Sequence, residues 1–281
     1  MPVRAALAGL AIGALAVAAM GCGSDPRADS AGVAAATTTS ATVPERAPGP
    51  PEIAVIGDST ALHLTFGLGG WIQETGLARA EGDVIELGCG LLPAELFTRF
   101  RYLGEASSPA ACATNEGRRA ASMRAADPDV AVVLVGPWEV ADWYDDDLDR
   151  WRHVGQPDMD EILRERIRLM IDTLSSEGAV VYWLTSPRIQ VGMRDGVPPA
   201  AARPASNPLR IQRLNTLVAE VAAEYPDVVE ILDLAAYLRT TPGGEMDPSL
   251  RPDGVHFTWD AAYEVASDWL GPEILRRYAG T

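Results

Sequence analysis

From Glu52 onward the chain alternates short runs of apolar residues with longer segments in which apolar residues recur every three to four positions. The short runs are typical of buried strands, and the longer segments are typical of amphipathic helices. Strands that alternate with helices form a parallel sheet covered by helices on both faces. The pattern therefore predicts a three-layer α/β/α sandwich. Its five predicted strands are residues 53–56, 84–87, 130–135, 179–184 and 228–232.

The predicted helices turn one apolar face towards this sheet. One helix aligns Leu163, Ile167 and Leu174, another aligns Ile211, Leu214 and Val218, and a last helix at about residues 259–278 closes the domain. In an open parallel sheet the active crevice lies beyond the carboxyl ends of the strands. Residues that directly follow a strand are therefore the first candidates for a functional site.

The first 51 residues differ in composition from the rest. Residues 5–20 are an apolar run preceded by Arg4, which predicts a signal peptide over residues 1–21. The run ends at Ala19-Met20-Gly21-Cys22, which resembles a bacterial lipobox with Cys22 as the lipidated residue. An ordinary cleaved signal and an uncleaved anchor are the alternatives. Residues 22–51, rich in Ala, Thr and Pro, are predicted to be a flexible linker, and residues 52–281 to be the folded domain.

The charge balance narrows the classes of partner. There are 39 acidic and 23 basic residues, which gives a net charge of −16. Nucleic acid is excluded as a partner, and an anionic polymer is a poor substrate, because both repel such a surface. The three histidines are dispersed, there is no C-x-x-C motif, and no glycine-rich phosphate loop follows a strand. We therefore expect no metal and no other cofactor.

Two short motifs lie where a catalytic site belongs. Gly57-Asp58-Ser59-Thr60 follows the first strand and precedes a helix that is predicted to start near Ala61, so Ser59 would lie at a helix N-terminus. Asp253 and His256 stand three residues apart on a glycine-containing turn before the last helix, a spacing that lets the carboxylate orient the imidazole. The structural alternative is a helix N-cap in the first motif and a turn aspartate with a capping histidine in the second.

Together these motifs resemble the SGNH (GDSL-like) hydrolase superfamily, over essentially residues 52–281. The resemblance implies a flavodoxin-like five-stranded parallel sheet. It also implies Ser59 as nucleophile, His256 as general base and Asp253 as its orienting acid. The oxyanion donors would be the N–H of Ser59 and that of Gly90, with Gly88 as the other possibility. Acyl-serine chemistry of this kind needs no cofactor.

The third family block, usually G-x-N-D, reads Gly136-Pro137-Trp138-Glu139 here. The missing Asn leaves Trp138 with two possible roles. Its indole N–H could donate to the oxyanion, or its ring could form a wall of the substrate pocket, and we favour the wall. This block together with Gly88-Cys89-Gly90 resembles the SGNH domains associated with acyltransferase-3 membrane proteins.

Two further features bear on the site. Cys89 and Cys112 are expected to pair, because thiols outside the cytoplasm tend to oxidise, and the bridge would contribute about 3 kcal/mol to stability. Cys89 as a nucleophile is the rival interpretation. Aromatic residues after the third strand alternate with aspartates, which suits sugar rings, and a partly buried loop with a solvated acidic run is the equal alternative. The aromatic residues are Trp138, Trp143, Tyr144 and Trp151.

The sequence thus predicts an exported serine esterase or O-acyltransferase that acts on acyl, most simply acetyl, esters of cell-envelope glycans. A lipase-like hydrolase of small esters is the alternative enzyme, and a non-catalytic glycan-binding lipoprotein is the alternative outside enzymes. We expect a monomer outside the cytoplasm, either secreted or held at the membrane by its lipid. A membrane acyl-donor protein is the expected partner, and nucleic acid is not.

Overall fold

The structure is a computed structural model that describes residues 49–102, 106–108, 112–192 and 203–280. The predicted signal peptide, the lipidation site at Cys22 and most of the predicted linker lie outside these residues. No helix in the described part of the chain is long and apolar enough to cross a membrane.

The central sheet is parallel and mixes long buried strands with two short ones at one edge. In chain order the strands of the described residues are β1 Glu52–Gly57, β2 Arg79–Ala80, β3 Val84–Ile85, β4 Arg99–Arg101, β5 Ala106–Ser107, β6 Val130–Leu134, β7 Asp142–Asp145, β8 Arg150–Arg152, β9 Val180–Leu184 and β10 Val229–Leu232. The order of the central sheet is β10-β9-β6-β1, and β2 and β3 both pair with the outer side of β1. Without β2, this is the 2-1-3-4-5 strand order of a flavodoxin-like sheet.

Helices cover both faces of this sheet, which confirms the predicted three-layer sandwich. The helices of the described residues are α1 Ser59–Thr75, α2 Asn115–Ala126, α3 Pro157–Ser175, α4 Pro208–Ala222, α5 Leu234–Thr240, α6 Trp259–Val265 and α7 Gly271–Tyr278. Alternate residues of β1 enter opposite cores: Ala54 and Ile56 pack with α3 and α4, whereas Ile53 and Val55 pack with α1 and α6. A parallel strand buried on both sides needs apolar residues at every position, which explains the unbroken apolar sequence of β1.

The structure corrects several predicted elements. The sheet has a sixth strand, β2, and the predicted strand 84–87 pairs only over Val84–Ile85. The first helix begins at Ser59 and not near Ala61. The predicted last helix is interrupted by a π-helical turn at Ala266–Leu270. Pro272 follows this turn and lacks an N–H, so regular α-helical hydrogen bonding cannot run through it.

A second, antiparallel sheet of order β5-β4-β7-β8 was not predicted. Its strands are short and carry charged residues. Arg101 on β4 pairs with Asp142 on β7 at 2.8 Å, and Arg152 on β8 pairs with Asp145 on β7 at 2.6 Å. In the sequence, β4 and β5 precede the main-sheet strand β6, and β7 and β8 follow it. This second sheet places Trp143 in the core, and its Phe100 packs against that core.

Two glycines allow close packing between backbone segments. Gly57 has φ +155°, and a Cβ there would lie 1.9 Å from the carbonyl oxygen of Leu134 on β6. A Cβ at Gly67 on α1 would lie 2.2 Å from the carbonyl oxygen of Ala262 on α6. The backbones of α1 and α6 therefore touch directly. This contact holds α6 against the middle of α1.

Candidate active site

Ser59 lies at the turn where β1 ends and α1 begins. Asp58 is the N-cap of α1, and its Oδ1 accepts hydrogen bonds from the Thr60 N–H at 2.7 Å and the Thr60 hydroxyl at 2.6 Å. These bonds fix the first turn of the helix. Ser59 is therefore the first helical residue, and its N–H belongs to a turn that has no acceptors within the helix. Asp58 is therefore the helix N-cap of this motif, and Ser59 is not.

The structure brings Ser59, His256 and Asp253 into one hydrogen-bonded row. Ser59 Oγ lies 2.8 Å from His256 Nε2, and His256 Nδ1 lies 2.7 Å from Asp253 Oδ2. A carboxylate accepts from Nδ1–H, which leaves Nε2 without its proton and able to accept from the serine hydroxyl. The three residues that the sequence singled out thus have the geometry of a proton relay.

The turn that carries Asp253 and His256 is closed by its own backbone. Asp253 Oδ1 accepts from the N–H of Val255 at 2.9 Å and from the N–H of His256 at 2.8 Å. Partial burial acts to raise the pKa of Asp253, but the His256 side chain and these two N–H groups outweigh it and hold the pKa well below its ordinary value. Asp253 is therefore ionised at neutral pH.

Arg251 stabilises the same turn. Its guanidinium is buried and donates from Nε to the carbonyl of Val255 at 3.0 Å, and from Nη1 to the carbonyls of Arg188 at 2.6 Å and Glu245 at 3.1 Å. Burial lowers the pKa of Arg251 to about 10. Sequence reasoning gave this residue no role, because its burial and its bond to the Arg188 carbonyl, 63 residues away, arise only in the folded chain.

The predicted oxyanion segment lies against the third family block. Glu139 Oε1 accepts from the Leu91 N–H at 2.7 Å. A Cβ at Gly90 would lie 2.1 Å from that same Oε1 and 2.8 Å from Trp138 Cβ, whereas one at Gly88 would meet only the Trp138 ring at 4.0 Å. Gly90 is thus enclosed, and Gly88 is needed for its positive φ of +76°.

Two fully buried carboxyl groups, Asp58 and Glu139, lie next to the relay and the oxyanion segment. Burial raises the pKa of Asp58 to about 6, and its hydrogen bonds from Thr60 limit the rise. Burial also raises the pKa of Glu139 to about 7, with a further contribution from the charge of Asp58. One oxygen of each, Asp58 Oδ2 and Glu139 Oε2, has no hydrogen-bond partner among the described residues. Sequence reasoning missed this pair.

Trp138 is half-buried beside these groups. Its ring meets Phe100 edge to face at 5.2 Å between centroids and lies 4.9 Å from the ring of Tyr102. The indole Nε1 is buried and has no hydrogen-bond partner in the described part of the chain. The ring thus has packing contacts typical of a pocket wall. The indole N–H is a hydrogen-bond donor without an acceptor among the described residues.

Cys89 and Cys112 form a disulfide with a Cα–Cα distance of 5.7 Å. The bridge joins the oxyanion segment to the residues just before α2. A bonded sulfur is not a thiolate, so in this state Cys89 cannot act as a nucleophile.

The other aromatic side chains of the predicted sugar-binding cluster make contacts with residues of the protein itself. Trp143 is buried and donates its indole N–H to the Trp138 carbonyl at 2.8 Å. The guanidinium of Arg99 covers the ring of Tyr144 at 3.8 Å, and that of Arg101 covers Trp151 at 4.0 Å. The second interpretation of this segment, a partly buried loop with acidic residues, therefore describes it better.

The fold and the site define an α/β/α hydrolase of the SGNH type. A sequence profile described as "SGNH domain (fused to AT3 domains)" matches residues 23–270, and the chain belongs to this family. The protein is accordingly a hydrolase or an O-acyltransferase. None of the curated proteins is similar enough in sequence to count as a match. No group of three His, Cys, Asp or Glu side chains in the described residues could hold a metal ion.

Solved structures resemble the fold. A GDSL-like lipase from Bacteroides thetaiotaomicron aligns over 81% of this chain and 89% of its own, with a TM-score of 0.52 and 11% identity. A protein from Bacteroides fragilis assigned as an acylhydrolase aligns over 85% and 93%, with a TM-score of 0.51 and 12% identity. The catalytic domain of peptidoglycan O-acetyltransferase A from Streptococcus pneumoniae aligns over 80% and 93%, with a TM-score of 0.44 and 14% identity. At these identities the likeness concerns the fold alone.

Proposed function

We propose that this protein is an exported serine esterase or O-acyltransferase that removes or transfers acyl groups, in the first place acetyl groups, on cell-envelope glycans. The observation that carries the proposal is the row Ser59–His256–Asp253, with distances of 2.8 and 2.7 Å between the successive polar atoms. Such a row activates a serine hydroxyl for attack on an ester carbonyl.

In the first half-reaction Ser59 Oγ attacks the carbonyl carbon of the ester and its proton passes to His256 Nε2. The negative charge that develops on the carbonyl oxygen is stabilised by the N–H of Ser59, at the positive end of α1, and by the N–H of Gly90. The bond between the carbonyl carbon and the alcohol oxygen then breaks. His256 returns its proton to that oxygen, and an acyl-serine remains.

In the second half-reaction His256 takes a proton from the acceptor, whose oxygen attacks the carbonyl carbon of the acyl-serine. The bond between that carbon and Ser59 Oγ then breaks, and His256 returns the proton to Oγ, which restores the serine hydroxyl. Water as acceptor gives hydrolysis, and a sugar hydroxyl gives transfer. Asp253 orients the imidazole and stabilises its charged form in both steps. The fusion of related domains to AT3 domains supports a membrane acyltransferase as the source or recipient of the acyl group. The apolar run at residues 5–20 and Cys22 support export and lipid anchoring.

Kinetics of variants test the proposal. With the full chain, release of acetate from triacetin and from an acetylated glycan is measured for the wild type, Ser59→Ala, His256→Ala and Asp253→Asn. Ser59→Ala and His256→Ala should each lower turnover by at least about a thousandfold, and Asp253→Asn somewhat less. His153→Ala, which removes a histidine outside the row, is the matched control and should stay active. Near wild-type activity in a folded Ser59→Ala variant would refute the serine mechanism.

The same assay separates the alternatives. A lipase-like hydrolase of small esters would release acetate from triacetin and little from the acetylated glycan, and a glycan-binding module would release acetate from neither substrate. Transfer is scored by adding a free sugar and measuring its acetylation by mass spectrometry.

A further inference from the structure

Three aromatic side chains among the described residues are more than a third exposed to solvent, and all three lie on α1 or α6. Phe66 is 58% exposed and Trp259 is 56% exposed; the third is Tyr263. The other large apolar side chains of similar exposure among the described residues are leucines, none of them on α1 or α6: Leu77, Leu87, Leu96, Leu148 and Leu209. Exposed aromatic rings that collect at one place beside a candidate active site are typical of a binding surface.

Phe66 and Trp259 form, with His63, a continuous aromatic surface that we call the aromatic platform. The rings of His63 and Trp259 are stacked at 4.6 Å, and Phe66 meets Trp259 edge to face at 4.9 Å. His63 lies 5.4 Å from the ring of His256. The platform therefore begins directly beside the imidazole of the proposed proton relay.

The platform is built on rigid elements. His63 is one helical turn after Ser59, and its Nδ1 donates to the Ser59 carbonyl at 3.1 Å. Trp259 is the first residue of α6, whose N-cap Thr258 accepts from the Ala261 N–H at 3.1 Å. The direct backbone contact between Gly67 and Ala262 fixes the two helices against each other. The backbone positions that carry the rings are thus fixed by contacts within the protein.

The chemistry of the relay decides which part of a substrate reaches this surface. His256 Nε2 must protonate the leaving alcohol oxygen and deprotonate the acceptor hydroxyl, so that oxygen lies within hydrogen-bond distance of the imidazole. The carbon skeleton attached to it therefore continues past His256. The acyl group, by contrast, extends from the carbonyl carbon at Ser59. We infer that the aromatic platform binds the alcohol part of the substrate, a pyranose that stacks its flat face on one of the two perpendicular rings of Trp259 and Phe66 and contacts the other ring with its edge.

A pyranose fits this surface better than the other alcohols. Its C–H face is apolar and flat, so it packs against an aromatic ring, while its hydroxyls remain in solvent at the open edge. The inference rests on the proposed function, because it concerns the alcohol part of that same ester.

The test compares two acetyl esters that differ in the alcohol: methyl 6-O-acetyl-glucopyranoside and methyl acetate, whose one-carbon alcohol is too small to reach the platform. With the full chain, Trp259→Ala and Phe66→Ala should each raise KM for the pyranoside by about tenfold and leave kcat nearly unchanged. Their KM for methyl acetate should change by less than about twofold. Trp259→Phe, which keeps an aromatic ring, should retain most of the pyranoside affinity. Leu209→Ala removes a side chain that is 67% exposed on α4 and is the matched control.

Equal loss on both esters, or no loss on the pyranoside, would overturn the inference while leaving the esterase proposal intact. A wild type inactive on both esters would overturn the proposed function itself. Binding of methyl glucopyranoside, measured by NMR saturation transfer, separates the two questions because it needs no turnover. Ser59→Ala should bind the sugar, and the double variant with Trp259→Ala should bind it about tenfold more weakly. Equal binding by the two variants would count against the platform.

Discussion

The buried carboxyl of Glu139 should make the stability of this protein fall as pH rises. Burial raises its pKa from the ordinary 4.5 to about 7, so the folded state keeps a proton that the unfolded state releases. The stabilisation is complete below pH 4.5 and is lost as pH rises through 7. Each pKa unit corresponds to about 1.4 kcal/mol, so Glu139 alone should lower the free energy of unfolding by about 2.5 kcal/mol between pH 5 and pH 8.

Glu139→Gln tests this directly. The amide oxygen can still accept from the Leu91 N–H, which the carboxyl accepts at 2.7 Å, but the side chain no longer titrates. Urea unfolding followed by tryptophan fluorescence at several pH values gives the free energy of unfolding at each. The variant should lose less stability than the wild type between pH 5 and pH 8, by about 2.5 kcal/mol. The exposed Glu95→Gln controls for the loss of one carboxyl group. Parallel pH profiles for the wild type and Glu139→Gln would refute the reasoning.

Three further predictions concern Trp138, the disulfide and the contact between helices. If Trp138 is a wall, Trp138→Phe keeps kcat and Trp138→Ala chiefly raises KM; a fall in kcat of roughly 100-fold in Trp138→Phe, with KM unchanged, would instead show that its indole N–H donates to the oxyanion. Non-reducing peptide mapping of protein from an oxidising compartment should find Cys89 joined to Cys112, and two alkylatable thiols there would contradict the pairing. Gly67→Ala should lower the thermal midpoint, because its Cβ would overlap a backbone carbonyl on α6, whereas Gly69→Ala, with nothing within 4 Å, should raise stability by up to about 1 kcal/mol. A destabilisation by Gly69→Ala equal to that by Gly67→Ala would show that the contact is not the cause.

The main sheet could be predicted because its strands are buried on both faces and therefore read as apolar runs. The antiparallel sheet could not. Arg99-Phe100-Arg101 alternates as a strand does, but its partner at Asp142–Asp145 lies about forty residues away, and the pairing is held by ion pairs and by guanidinium groups over rings. Pro272 indicates that a regular α-helix cannot continue through this point. The helical periodicity of residues 259–278 nevertheless favours one continuous helix, so the π-helical turn was not predicted.

The relay residues could be singled out because each half of the site is a short local motif, Gly57-Asp58-Ser59 and Asp253 to His256. The groups that surround the motifs depend on tertiary contacts. Arg251 and Glu139 both stand within motifs read from the sequence, but their burial and their backbone partners come from distant segments. The aromatic platform also depends on tertiary contacts, because Phe66 and Trp259 meet only after α1 and α6 pack together.

The central claim is that Ser59 is an activated nucleophile. The most direct measurement is labelling of the full chain with a fluorophosphonate probe, followed by peptide mass spectrometry to locate the adduct. The account predicts one adduct, on the Oγ of Ser59, that is absent from Ser59→Ala and strongly slowed in His256→Ala. A folded wild type that stays unlabelled, or an adduct on another residue that survives in Ser59→Ala, would contradict it.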